Sequence, residues 1–458
     1  MSKAVKTVYE CTACGAQSPK WLGRCPGCAG WSTLEEVRAA VKGNRPPVKA
    51  GGAAQPVAIA DVVADETERF STGISELDRV LGGGVVPGGV TLLGGEPGIG
   101  KSTLLMQAVA GVAKAGLRVL YVTGEESAAQ VALRARRLGV QESLLLLATT
   151  DVADALHAME VERYAMVVID SVQTLRSTEL ESASGSVSQL RDVAGRLTEF
   201  AKAHAVSLFV IGHVTKDGSL AGPKVLEHLV DTVLSFEGDA THAYRIVRAT
   251  KNRFGPAQEL GVFEMAATGL RAVPEASALF ISERPQRAAG SVVTPTTQGS
   301  RPLLVEVQAL VAPALYGAPR RVTTGLDANR LAVLLAVLQR RAGVQVLDQD
   351  VFANVAGGVR IDEPAVDLAL CVAIVSSLRD RPVASELALF GEVGLTGELR
   401  AVSRPAMRVQ EAKKLGFTRV LLPAANLAHL SSDERADVRL YGARDLDEAL
   451  AAAFDASD

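Results

Sequence analysis

Eight consecutive residues, Gly95-Glu96-Pro97-Gly98-Ile99-Gly100-Lys101-Ser102, constrain the fold of this chain more than any others. They satisfy G-x-x-x-x-G-K-[ST] without substitution, between the mostly apolar run 89–93 and Thr103-Leu104-Leu105-Met106. Strand, glycine loop and helix in that order are the setting in which the pattern binds a nucleotide. The glycines let backbone N–H groups turn inward around phosphate oxygens. Lys101 is placed to reach the β- and γ-phosphates, and the Ser102 hydroxyl to hold Mg²⁺. Residues 95–103 are therefore the expected triphosphate-binding set.

Around this loop, from about 70 to 270, strand-like runs at 89–94, 118–123, 166–169 and 206–211 alternate with helical stretches. Val187, Leu190, Val193, Leu197 and Phe200, for instance, recur at three- and four-residue spacing. Such alternation predicts an α/β fold, a mainly parallel sheet with helices on both faces. The apolar run at 166–169 ends in Asp170, the expected second Mg²⁺ group. Another strand ends in Thr123-Gly124-Glu125-Glu126-Ser127, and strand C-termini in such sheets face the ligand crevice. Glu125 is expected to orient the attacking water. Glu126 is its rival, or a first-turn residue of the next helix.

At 458 residues the chain has room for roughly two to four domains. With 48% apolar and 22% charged residues it reads as globular, and the run 331–338 is too short to span a bilayer. Met-Ser-Lys-Ala-Val-Lys has no apolar stretch behind its charges, so a cytoplasmic protein without a membrane partner is expected. The net charge of −3 argues against a uniformly basic nucleic-acid binder, although residues 1–50 hold eight Lys/Arg against three Glu.

Four of the five cysteines, Cys11, Cys14, Cys25 and Cys28, form two C-x-x-C knuckles, which predicts a tetrahedral Zn²⁺ site in residues 1–41. Gly15 and Gly27 are the expected positive-φ residues of those knuckles. A module this small needs the metal for its folding energy. Trp21 and Trp31, the former beside Lys20 and Arg24, suit either stacking on single-stranded bases or filling the module's small core. The remaining cysteine, Cys371, reads as an inert core thiol. Residues 42–66 read as a flexible linker, 67–274 as the nucleotide domain, 275–300 as a hinge and 301–458 as a further domain.

Ser71-Thr72-Gly73 with Leu77-Asp78 and Leu81-Gly82-Gly83-Gly84 resembles the beginning of RecA-family ATPase cores. The match at 121–127 implies that Glu125 is the catalytic glutamate. Phe209-Val210-Ile211-Gly212-His213 resembles the strand whose polar end senses the γ-phosphate, which implies that role for His213. Lys251-Asn252-Arg253-Phe254-Gly255 and the four-cysteine N-terminus resemble the bacterial RadA (Sms) family. The pentapeptide is also similar to the Lys-x-Arg pair of DnaB-type hexameric helicases, which implies that Lys251 and Arg253 act in a neighbouring subunit's ATP site. The loops at 180–191 and 215–224, the latter with Lys216 and Lys224, correspond by this resemblance to DNA-contacting segments of the central channel.

Residues 301–458, with Arg321–Asp327, Val355–Pro364 and the hairpin pattern of 391–399, resemble the α+β proteolytic domain of Lon. By this resemblance the serine of Lon's Ser–Lys dyad corresponds to Ala365 and its lysine to Ala406 or a position close by, and alanine supplies neither nucleophile nor base. Ser403 and Lys413 lie nearby but off the expected positions.

The resemblance implies an ATP- and Mg²⁺-dependent, zinc-containing motor on single-stranded DNA. It would promote branch migration of recombination intermediates during DNA repair, as a hexameric homo-oligomer with a recombinase partner. An ATP-dependent protease of Lon type is the alternative, disfavoured by the alanines. A nucleotide-switched binding protein is a third.

Overall fold

The computed structural model describes residues 7–11, 17–27, 29–38, 68–140, 144–213, 225–238, 244–285, 287–314 and 317–455. The linker at 42–66, the loop at 215–224 with Lys216 and Lys224, and Cys14 and Cys28 lie outside them. The chain divides into two compact units, residues 1–272 and 273–458.

The first unit begins with a three-stranded antiparallel sheet in which β1 (Thr7–Cys11) lies between β2 (Gln17–Ser18) and β3 (Leu34–Arg38). The nucleotide domain follows. Its elements are α1 (Ser75–Val80), β4 (Val90–Gly95), α2 (Lys101–Lys114), β5 (Val119–Thr123), α3 (Ala128–Arg137), β6 (Leu145–Ala148), α4 (Val152–Val161), β7 (Met166–Asp170), α5 (Val187–His204) and β8 (Ser207–His213). Then come α6 (Val225–Leu229), β9 (Thr232–Glu237), β10 (Tyr244–Asn252), β11 (Leu260–Ala266) and β12 (Gly269–Ala272).

The sheet order is β12-β11-β10-β9-β4-β8-β7-β5-β6. From β9 to β6 every pairing is parallel, and β10 to β12 add an antiparallel meander. Side chains of a strand alternate between faces, so each central strand feeds two cores. Leu93, Tyr121, Val168, Phe209 and Ile211 join α1 and α2 on one face. Leu92, Leu120, Val122, Val167, Ile169 and Val210 join α4 and α5 on the other.

The Ser71-Thr72-Gly73 motif is a turn closed by Asp78, whose carboxylate accepts from the Thr72 N–H at 2.8 Å, the Thr72 hydroxyl at 2.7 Å and the Ser71 hydroxyl at 2.5 Å. The turn presses on α2 at Gly111, where a Cβ would stand 2.1 Å from the Thr72 carbonyl oxygen.

In the second unit, α7 (Ala276–Ser282), β13 (Ser291–Gln298), β14 (Arg301–Pro313), β15 (Arg321–Thr324), α8 (Ala328–Arg341), β16 (Gln349–Val355), α9 (Asp367–Leu378), β17 (Leu387–Leu389), β18 (Glu392–Val393), β19 (Leu399–Arg400), α10 (Pro405–Lys414), β20 (Arg419–Pro423), α11 (Ala424–Ala428), α12 (Ser432–Arg435), β21 (Arg439–Ala443) and α13 (Leu446–Asp455) follow in order. A mixed sheet of order β15-β16-β14-β13-β17-β20-β21 carries buried α9. The hairpin expected near 391–399 is present as β18 and β19.

The hinge expected at 275–300 is not there. Its Pro and Gly residues punctuate α7 and β13 instead, and β13 is an inner strand with seven of its eight residues buried. Pro295 is compatible with that strand because β17 pairs with β13 only at Val293, and at Pro295 that side of the strand faces Arg408 instead of a ladder partner.

Arg408 on α10 is fully buried. Its guanidinium grips the Glu363 carboxylate at 2.6 and 2.8 Å, donates to the Pro295 carbonyl at 2.8 Å and stacks over Phe390. Burial pushes the Glu363 carboxyl up, but the Arg408 bonds outweigh it and hold the group below its ordinary range. Removing one partner of such a pair strands the other charge, so Arg408→Ala is expected to cost about 3–5 kcal/mol. Urea unfolding of Arg408→Ala and of Arg408→Met with Glu363→Leu checks this; the paired apolar replacement is expected to recover most of the loss. A carboxyl with a depressed folded pKa stabilises above its unfolded value and loses that contribution as pH falls. The difference between wild type and Arg408→Ala should therefore shrink below about pH 4.5.

A candidate nucleotide site and zinc module

The phosphate loop leaves β4 at Gly95, beside β9. A Cβ on Gly95 would stand 2.8 Å from the Phe236 carbonyl oxygen, so this glycine is required by strand packing. Gly98 and Gly100 are required by conformation, with φ of 79° and 119°. The buried Lys101 ammonium donates to the loop's own Gly95 and Glu96 carbonyls, at 2.8 Å each. Burial lowers its pKa, while the carboxylates of Asp170, Glu125 and Glu96 counteract that shift.

Strand register brings the other groups to the same sheet edge. Thr123 of β5 pairs with Asp170 of β7, and Gly95 of β4 pairs with His213 of β8. A cleft of about 360 Å³ opens there, lined by Gly98, Lys101, Ser102, Glu125, Asp170 and Arg134 among others. The nearly buried Asp170 carboxylate accepts from the Tyr121 hydroxyl at 2.5 Å. Burial, and after it the Asp170 charge, holds the Tyr121 phenol well above its ordinary range. Ser102 and Asp170 face one cleft, an oxygen pair of the hard type that Mg²⁺ takes. His213 ends its strand next to the loop; its side chain is outside the described residues.

The two adjacent glutamates part company. Glu125 accepts from the Ser171 hydroxyl at 2.5 Å, directly beside Asp170. Glu126 is ion-paired with Arg134 of α3. It does not cap that helix, because a Ser127–Gln130 capping box does. Glu126 Oε2 and Arg134 Nη1 are buried without a hydrogen-bond partner among the described residues. Sequence reasoning missed Tyr121, Ser171 and Arg134. A phenol in a buried strand was the visible signal for the first; Arg134 lies on a helix whose facing is not readable from its spacing.

Lys251 and Arg253 lie elsewhere. Asn252 pairs with Thr232, and Thr232 with Thr91, so the pentapeptide sits where β4 begins, at the sheet edge opposite the phosphate loop. The four steps from Thr91 to Gly95, where the loop begins, span about 13 Å at the rise of a strand. Neither cation lies at the strand end that carries the phosphate loop. Lys251 donates to the Glu227 and Val230 carbonyls at 2.6 and 2.7 Å, closing α6. Burial, then the neighbouring Arg253 charge, lowers the Lys251 pKa. Half-exposed Arg253 is 3.1 Å from Asp231, which Lys202 also approaches at 3.3 Å.

In the N-terminal module Cys11 and Cys25 are buried in one cluster with Leu34. The Gly27 N–H donates to Cys25 Sγ at 3.3 Å. Gly27 does not take the positive φ expected of it; Ala29 does, at 59°. Cys11 and Cys25 are one cysteine from each expected knuckle, brought into a single buried cluster, and Cys14 and Cys28 lie outside the described residues. In the second unit burial pushes the Cys371 thiol far up, as an inert core group requires.

Ala365 is buried before α9, and Ala406 is on α10 next to the Arg408 pair. Lys413 donates its ammonium to the Ala436 carbonyl at 2.6 Å. Among the described residues no helix is long and apolar enough to cross a membrane.

A parallel sheet whose strand ends converge a glycine loop, a buried lysine and an acidic pair on one cleft defines a P-loop ATPase of RecA-like fold. Family models agree along the chain: a rubredoxin metal binding domain at 9–36, an AAA domain at 53–219 and the Lon protease (S16) C-terminal proteolytic domain at 340–456. The chain belongs to the family of the DNA repair protein RadA. It is 48% identical to that protein of Escherichia coli (strain K12), over 98% of this chain and 99% of the relative. It is 51% identical to that of Aquifex aeolicus (strain VF5), over 91% and 93%. A KaiC-like protein from Pyrococcus horikoshii OT3 matches 45% of this chain and 100% of its own, at 21% identity and a TM-score of 0.38.

Proposed function

We propose that the chain is a DNA-dependent ATPase of the cytoplasm, a motor on single-stranded DNA that promotes branch migration of recombination intermediates during repair. It works as a ring-shaped homo-oligomer, expected to be a hexamer, together with a recombinase. The observation that carries this reading is the place of Arg253, half-exposed and at the wrong sheet edge for its own phosphate loop. A cation so placed is available to the ATP of a neighbour, as a trans-acting arginine finger is.

In this reading Ser102 and Asp170 hold Mg²⁺, and Lys101 exchanges the Gly95 and Glu96 carbonyls for the β- and γ-phosphates. Glu125 orients the attacking water, and the Ser171 contact keeps it turned towards the cleft. His213 senses the γ-phosphate, and Arg253 with Lys251 neutralises charge developing on it from the next subunit. Cys11, Cys14, Cys25 and Cys28 hold Zn²⁺. Of the stretch expected to be a loop at 180–191, residues 187–191 are the first turns of α5; the part before it, 180–186, together with 215–224, meets the strand. The Lon-like domain, with alanine at 365 and 406, is a proteolytically inactive scaffold for assembly.

The test is ATP turnover with and without oligothymidylate. Wild type is expected to be stimulated by the strand, and Lys101→Ala to lose about 10²–10³ of the rate, the effect of removing one donor from a developing anion. A wild-type rate indifferent to DNA removes the motor reading, and an unchanged rate in Lys101→Ala removes the phosphate loop.

A further inference from the structure

The only tryptophans of the chain, Trp21 and Trp31, stand on the N-terminal module. Its cluster of Cys11, Cys25, Leu34, Tyr9 and Leu22 is small, and two indole rings are the largest apolar surfaces it has to add. Neither is used for that. Trp21 is 54% exposed and Trp31 74% exposed.

The rings are nonetheless held. Trp21 Nε1 donates to the Leu34 carbonyl at 3.1 Å, and Trp31 bridges Arg24 across an antiparallel pair that the Ser32 N–H reinforces with a 2.8 Å bond to the Gly23 carbonyl. Both rings lie close to Gly23, since a Cβ built there would stand 3.6 Å from the Trp31 ring and 3.8 Å from the Trp21 ring. Exposed Lys20 and Arg24 flank the pair, on a segment where residues 1–50 hold eight Lys/Arg against three Glu.

We infer that Trp21 and Trp31 form a stacking platform for unpaired bases of a single DNA strand, with Lys20 and Arg24 on the adjoining phosphates. Anchored aromatic faces beside cations are the combination that binds single strands without reading sequence, because every unpaired base offers a π-face and every link a charge. A duplex offers the phosphates but hides the faces. The inference rests on the proposed action on single-stranded DNA and assigns part of that contact to the zinc module.

Because the chain has no other tryptophan, its indole fluorescence reads this site alone, in the full-length zinc-loaded protein. Oligothymidylate is expected to quench it saturably; an abasic strand of equal length and a duplex are expected to bind without quenching. Trp31→Ala is expected to weaken oligothymidylate binding about 5- to 150-fold, the range of a base–aromatic stack, and Trp31→Phe much less. Fluorescence anisotropy of a labelled strand measures total binding in parallel. A strand that binds by anisotropy without quenching overturns the platform and leaves the DNA reading standing. A strand that binds by neither measure overturns both. Quenching by a recombinase but not by the strand also overturns the platform, since the surface is then a protein contact.

Discussion

ATP turnover by an assembled Arg253→Ala variant is expected to fall about 10³–10⁵-fold, the effect of losing a trans-acting finger. The fold should survive, because Asp231 keeps Lys202 at 3.3 Å and the Val90 N–H at 3.2 Å when Arg253 is gone. Nucleotide binding to the variant's own phosphate loop should survive as well, since Arg253 lies at the opposite sheet edge. Mixing supplies the decisive measurement. Arg253→Ala and Lys101→Ala subunits are each inactive, yet a heterologous interface joins one subunit's loop to the other's arginine. In a random equal mixture about a quarter of the interfaces regain both groups. A mixture no faster than its parents, or an isolated subunit with the full rate, would contradict catalysis shared between subunits.

Glu125→Gln is expected to lower kcat about 10²–10⁴-fold, the range for removing a positioned general base. Nucleotide binding should persist, because Lys101, Ser102 and the loop are untouched. Glu126→Gln should act far less on kcat: its carboxylate is engaged by Arg134, whereas Glu125 is held by Ser171 beside Asp170. Single-turnover hydrolysis with pre-bound ATP separates the chemical step from binding for both variants. The reverse order of effects would transfer the role to Glu126 and make Ser171–Glu125 a structural bond.

Much of this architecture was legible before any coordinates. The four strands expected at 89–94, 118–123, 166–169 and 206–211 are β4, β5, β7 and β8, within a residue or two at each end. They are short, apolar and bounded by turn residues, so the signal is local. The antiparallel meander β10 to β12 was not seen, because its alternation is broken by Arg245, Arg248 and Lys251, which tertiary partners satisfy. The supposed hinge failed for a related reason. Pro285, Gly290 and Gly299 flank α7 and β13 while Pro295 lies within β13, and local composition does not tell a boundary between elements from a boundary between domains.

The sequence by itself determined the chemistry on offer: a phosphate loop, a carboxylate at a strand end, paired glutamates and two cysteine knuckles. Those are properties of residue type and spacing, which backbone geometry translates directly. Only the tertiary structure decided which groups meet. It parted Glu125 from Glu126, set Arg253 at the sheet edge opposite the phosphate loop, and turned both tryptophans outward. Strand order and helix facing arise from the packing of two cores against one sheet, a global balance that no window of sequence contains.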